Sequence, residues 1–255
     1  MRIEEKTNES LAVRPYDNQM KRSNELHPSI PQPPFSMLIC SPKGGGKTTL
    51  LLNLLYKRHN KKNAFYRHYF DTIYVFSPTF RLDKKLQKMK IPESQIYEDQ
   101  DDYEDIIQEI IATQQEEIEA VGKDKANSIL MIFDDLAGTK MFSHNRSILN
   151  RLALNSRHYK ISIIITSQQS NLINTAFRTN LSAMIIFGSC LNNRAELKRL
   201  RDEYLGQFTN KEVKQLLNYV FDDSKYNFLY LNFQSHGQLI NKNFNPLQIK
   251  LDSDK

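Results

Sequence analysis

Residues 35–55 read FSMLIC, SPKGGGKT and TLLLNLL in succession, and this stretch decides how the rest of the chain is read. The apolar run Phe35–Cys40 suits a buried strand. A short segment follows that holds Gly44, Gly45 and Gly46, three of the chain's eight glycines. A leucine-rich helix is expected from Lys47. Glycines lack a Cβ, so the backbone can curl and aim successive N–H groups at phosphate oxygens. The helix start adds partial positive charge. Lys47 supplies a cation for the β- and γ-phosphates, and the Thr48 hydroxyl is a magnesium ligand. The expected cradle is Ser41, Pro42, Lys43, Gly44, Gly45, Gly46, Lys47, Thr48 and Thr49. The usual form of this loop has a glycine where Ser41 stands. Gly44, Gly46, Lys47 and Thr48 keep the chemistry without it.

Outward from the loop, short apolar runs alternate with helical stretches. The runs are Phe35–Cys40, Thr72–Ser77, Ser128–Phe133, Ile161–Thr166 and Ala183–Phe187. Continuous apolar runs of this length fit strands covered on both faces of a parallel sheet. Helices are expected near Lys47–His59, Arg81–Met89, Tyr103–Val121 and Asn145–Ser156. The third carries Ile106, Ile107, Ile110, Ile111 and Ile118 at helical spacing. The alternation predicts right-handed crossovers in a doubly wound α/β fold. After Gly188 two charged helices, Asn193–Leu205 and Asn210–Phe221, precede strands at Tyr226–Asn232 and Pro246–Leu251. Residues 1–34 are polar, and HPSIPQPP (27–34) forbids a regular helix. The expected organisation is an extended arm over 1–34, a nucleotide-binding core over 35–190, and an extension over 191–255 that acts as a lid or subunit contact.

A buried strand ending in Asp134 and Asp135 delivers two acids beside the phosphate loop. Asp134 should hold magnesium with Thr48, and Asp135 should polarise the attacking water. Thr72–Ser77 lies between Lys47 and Asp134 in sequence. This suits the P-loop NTPase fold of the additional-strand, RecA-like class. The strand ISIIIT leads to Gln168, placed to reach the γ-phosphate or the water. No guanine-reading Asn-Lys-x-Asp motif occurs, which favours ATP.

The chain has 255 residues, a net charge of +6 and a pI near 9.1. That length allows one large domain with a buried core, and the basic balance favours polyanion partners. No apolar run approaches the roughly 20 residues that span a bilayer, and the polar first residues show no secretory signal. Cys40 and Cys190 match no metal spacing and read as buried thiols suited to a reducing cytosol.

The ordered set SPKGGGKT, ILMIFDD, SRH before ISIIITSQ, and FRTN before AMIIF resembles the FtsK–HerA superfamily of ring-shaped DNA motors. It is most similar to the poxvirus-type genome-packaging ATPases of large DNA viruses. The resemblance covers about residues 35–190. It implies a homo-oligomeric ring, pentameric or hexameric, that hydrolyses ATP with Mg2+ and pumps double-stranded DNA through a capsid vertex or portal. It also implies work at a viral assembly site in the host cytoplasm, or on the virion. In such rings an arginine of one subunit touches the γ-phosphate held by the next, worth ~10³–10⁵ in rate. Arg157 is the first candidate, then Arg178, with Arg151 a third. Lys123 and Lys125, in the turn before the acidic strand, are the candidate DNA contacts. Contacts to the DNA backbone need no base recognition. Within the basic stretch 56–69, residues 57–62 read as a solvated helix C-terminus whose cations complement the helix dipole. Other readings of the same residues are a helicase, a secretion or conjugation motor, an AAA+ type ATPase, a small-molecule kinase, or a scaffold that nucleotide orders without turnover.

Overall fold

The protein is described by a computed structural model over residues 2–5, 26–27, 29–56, 65–136, 139–144, 147–234 and 239–250. Its strands are β1 (Arg2–Glu5), β2 (Ser36–Cys40), β3 (Thr72–Phe76), β4 (Ile96–Tyr97), β5 (Ile129–Asp134), β6 (Ile161–Ser167), β7 (Ala183–Phe187), β8 (Phe228–Asn232), β9 (Ile240–Lys242) and β10 (Asn245–Lys250). They form one ten-stranded sheet in the order β1-β10-β9-β8-β7-β2-β6-β5-β3-β4. From β7 to β4 neighbouring strands run parallel. From β7 to β1 they pair antiparallel. The mostly parallel α/β sheet expected from the sequence is therefore present. The strand that separates β2 from β5 in space is β6, whereas β3, which separates them in sequence, lies beyond β5.

The helices are α1 (Lys47–Tyr56), α2 (Tyr103–Val121), α3 (Lys140–Ser143), α4 (Ile148–Tyr159), α5 (Thr175–Arg178), α6 (Arg194–Tyr204) and α7 (Asn210–Phe221). Every residue of β2, β5, β6 and β7 is buried, which accounts for their near-continuous apolar sequence. Alternate residues feed two cores. Met131 and Phe133 face one layer with Ile107, Ile111, Leu152 and Val213. Leu130 and Ile132 face the other, with Leu51, Leu54 and Phe65. Burying each such side chain contributes about 1.5–3 kcal/mol.

Several elements depart from expectation. Residues 81–89 form turns and a 3₁₀ segment, Leu86–Met89, not an α-helix. The Asp83 side chain accepts the Lys85 N–H at 2.7 Å, a local bond that competes with helix. α4 starts at Ile148, where Ser147 Oγ caps the Asn150 N–H at 3.4 Å. β1, β4 and β9 were not expected. Residues 29–34 of the expected arm pack on the core. Ile30 is buried, Tyr66 Oη donates to Pro31 O at 2.7 Å, and Tyr230 Oη donates to Ser29 O at 2.8 Å. Most of residues 1–34, and Lys57, Arg58, Lys61 and Lys62 of the basic stretch, lie outside the described residues. Arg67, in contrast, is buried, so it is no solvated cation. No described helix is long and apolar enough to cross a membrane.

Candidate active site

Sheet register sets the site. Cys40 of β2 is level with Ser167 of β6, and Thr166 of β6 is level with Asp134 of β5. Three adjacent parallel strands thus end together, and the loops beginning at Ser41, Asp135 and Gln168 share one edge of the sheet. Ser41 N donates to Ser167 O at 3.0 Å, which ties the first of these loops to the third.

The phosphate loop turns through two left-handed glycines, Gly44 at φ 75° and Gly46 at φ 115°. Gly45 is required for a different reason. A Cβ there would fall 1.9 Å from Ser41 Oγ. Ser41 thus occupies space over the loop that the usual glycine would leave open, and a third glycine accommodates it. Gly45 N donates to Pro42 O at 3.0 Å, and α1 begins at Lys47. The first amides of a helix have no partner within it, so they are available to an anion. Lys47 Nζ donates to Ser41 O at 2.6 Å and lies folded over the loop.

Asp134 is buried, and its Oδ1 accepts from Thr166 Oγ1. Burial pushes its carboxyl above the ordinary range. Thr166 and the Lys47 charge pull it back, while Asp135 and Asp83 push it further up. Asp135 adopts φ 57°, a left-handed turn that Asp tolerates better than most residues. The turn lifts its exposed carboxylate to Gln168, whose Nε2 donates to Asp135 Oδ1 at 3.2 Å. Sequence reasoning missed Asp83. Its Oδ2 accepts from Thr48 Oγ1 at 3.3 Å, and its charge is felt at Asp134. Asp83 therefore touches Thr48 and adds negative charge in the neighbourhood of Asp134. It sits in a loop with no motif, so only its tertiary approach reveals it.

The loop behind Gln168 is anchored to α6. Buried Glu196 accepts from Ser170 Oγ at 2.6 Å, Ser170 N at 3.1 Å and Asn171 N at 3.3 Å, and pairs with Arg199 at 2.9 Å. Arg178 is buried and forked onto Glu203, at 3.0 Å from Nε and 2.7 Å from Nη2. It also donates to Ile173 O and to Thr175 Oγ1. The expectation that Arg178 reaches a neighbour is corrected on this geometry: its donors are spent inside the subunit. Cys40 and Cys190 are buried free thiols, and burial raises Cys190 to about 12.

Arg157 is exposed at the opposite end of the sheet from the phosphate loop. β6 separates the two by seven residues, about 23 Å at ~3.3 Å per residue. Arg157 shares a cleft of about 870 Å³ with Lys123 and Lys160. Lys160 Nζ donates to Asp124 O and Ala126 O, which holds the loop carrying exposed Lys123 and Lys125. Arg151 of α4 is exposed as well.

The sequence profile of the poxvirus A32 protein family matches residues 24–231. The chain belongs to that family. It is an ATPase of the viral genome-packaging type. Among solved structures, similar folds include B204, the DNA-packaging ATPase from Sulfolobus Turreted Icosahedral Virus. That match has 15% identity and a TM-score of 0.56, covering 82% of this chain and 97% of that one. The genome-packaging NTPase B204 from Sulfolobus turreted icosahedral virus 2, in complex with ATP-gammaS, aligns at 13% identity and TM-score 0.54, over 82% and 96%. The pCW3 conjugation coupling protein TcpA aligns at 15% identity and TM-score 0.51, over 83% and 60%. No curated protein matches the chain.

Proposed function

We propose that this protein hydrolyses ATP with Mg2+ to drive double-stranded DNA into a capsid, acting as a homo-oligomeric ring. One observation carries the reading. Gln168 and Asp135 are hydrogen-bonded at 3.2 Å on the edge that also bears Lys47 and Thr48. This is where an attacking water must be held against a γ-phosphate.

The residues present fit magnesium. Among the described residues no group of three His, Cys, Asp or Glu could hold a metal unaided. Mg2+ bound through one or two protein ligands and nucleotide phosphates needs no such cage. Thr48 and Asp134 would hold it, and the desolvated Asp134 carboxylate would gain the cation its burial lacks. When bound, the ion neutralises charge on the β- and γ-phosphate oxygens. The chain's residues do the rest. Loop amides and Lys47 bind the phosphates. Asp135 orients the water and accepts its proton, and Gln168 fixes the Asp135 carboxylate.

Family membership and the basic surface around Lys123 and Lys125 support the DNA assignment. Exposed Arg151, near the start of α4, is assigned the finger that serves a neighbouring subunit in preference to Arg157, which lies at the far end of the sheet from the phosphate loop. The test is steady-state ATP hydrolysis with and without double-stranded DNA. Wild type should be stimulated by DNA. Asp135→Asn should keep ATP affinity and lose about 10²-fold or more in kcat. An unchanged kcat sinks the Asp135 assignment, and absent DNA stimulation in the assembled protein sinks the motor.

A further inference from the structure

A nucleotide held by this loop must house its nucleoside somewhere, and the position of the acids decides on which side. Asp134, Asp135 and Gln168 stand on β5 and β6, so the γ-phosphate points to that side of β2. The α-phosphate and nucleoside then lie toward the other neighbour of β2, which is β7. At that end Gly46 faces two aromatic rings. A Cβ on Gly46 would lie 3.2 Å from the Phe187 ring and 3.7 Å from the Tyr226 ring. Phe187 is buried, but Tyr226 is 53% exposed, one of few large apolar side chains so placed among the described residues. Lys225 Nζ sits 4.9 Å from the Tyr226 ring centroid. Beside these residues a groove of about 1180 Å³ runs between α6 and α7. Its wall is basic, with Arg194, Lys198, Arg201, Lys214 and Lys225, and Tyr226 stands next to it, not in its lining.

We propose that Tyr226, beside Gly46 of the phosphate loop, is the platform on which the purine base of the nucleoside triphosphate stacks. The inference rests on the phosphate-loop reading. About half of the ring is exposed with the Lys225 ammonium over one face, and a base stacked on it would take exposed ring area out of solvent. Gly46 is where the loop comes closest to the ring: a Cβ there would press on Phe187 and make ordinary contact with Tyr226.

The test is titration calorimetry on the full chain with Mg2+, using ATP and inorganic tripolyphosphate as separate probes. Tyr226→Ala should weaken ATP about tenfold and leave tripolyphosphate within twofold of wild type. Tyr226→Phe, which keeps the ring, should bind ATP as wild type does. Unchanged ATP affinity in Tyr226→Ala overturns the proposal. So does an equal loss of both probes, which would mean a disturbed loop, and so does a tenfold loss in Tyr226→Phe. A wild type that binds neither probe overturns the phosphate-loop reading, a result distinct from all of these.

Discussion

Replacing Gly45 by Ala tests the loop's packing directly. The new methyl would lie 1.9 Å from Ser41 Oγ, 3.1 Å from Pro42 O and 3.3 Å from Ser41 Cβ. The φ of Gly45 is not left-handed, so the cost is steric and not conformational. Ser41 is fully buried with its N–H tied to β6, so it has little room to yield. Overpacking of this kind costs about 1–3 kcal/mol, or roughly 2–12 °C in Tm for a domain of this size. The loop must also shift to relieve the contact, so ATP affinity should fall with stability. Ser41→Gly removes two of the three contacts and leaves only that to Pro42 O. The double variant should therefore recover most of both losses, with a coupling of about 1 kcal/mol or more. Thermal melts and ATP titrations of the four proteins close the cycle. Wild-type stability and affinity in Gly45→Ala, or no recovery on adding Ser41→Gly, would refute the reasoning.

Two further outcomes follow from the buried charges. Asp134 has a folded-state pKa above its unfolded value, so its contribution to stability is present below the unfolded pKa and lost as pH rises through the folded one. Asp134→Asn should thus raise the Tm of the nucleotide-free, metal-free protein at pH 7. That gain should shrink toward acid pH while magnesium-dependent hydrolysis is lost; a lower Tm at pH 7 would contradict the burial account. Glu203→Ala leaves the buried Arg178 guanidinium without its fork. Denaturant unfolding should show a loss of about 1–3 kcal/mol, since Glu203 is partly exposed; a neutral result would return Arg178 to the candidates for an intersubunit role.

The parts of the site legible in sequence were those written in contiguous residues. SPKGGGKT, the acids closing ILMIFDD and Gln168 after IIITS each sit at the end of an apolar run. Parallel pairing of such runs brings their ends together without further information. Asp83, Glu196, Glu203 and Tyr226 were illegible because each acts across the fold on a residue distant in sequence. Thr48 meets Asp83 on a segment that looked helical, where the other oxygen of the same carboxylate holds a local turn at Lys85. Arg178 was misread for the same reason: its spacing from the strand is visible, while the glutamate that holds it is on another helix. The ends of the sheet were under-read because β4 and β9 are too short to show alternation.

Glu196 and Glu203 sit seven positions apart on α6, about 10 Å along the axis at 1.5 Å per residue. One grips the front of the segment that follows Gln168, and the other grips Arg178 at its back. A rod eleven residues long cannot tilt without dragging both handholds. Any body that leans on the outer side of α6 therefore leans, through two carboxylates, on the amide that steadies Asp135.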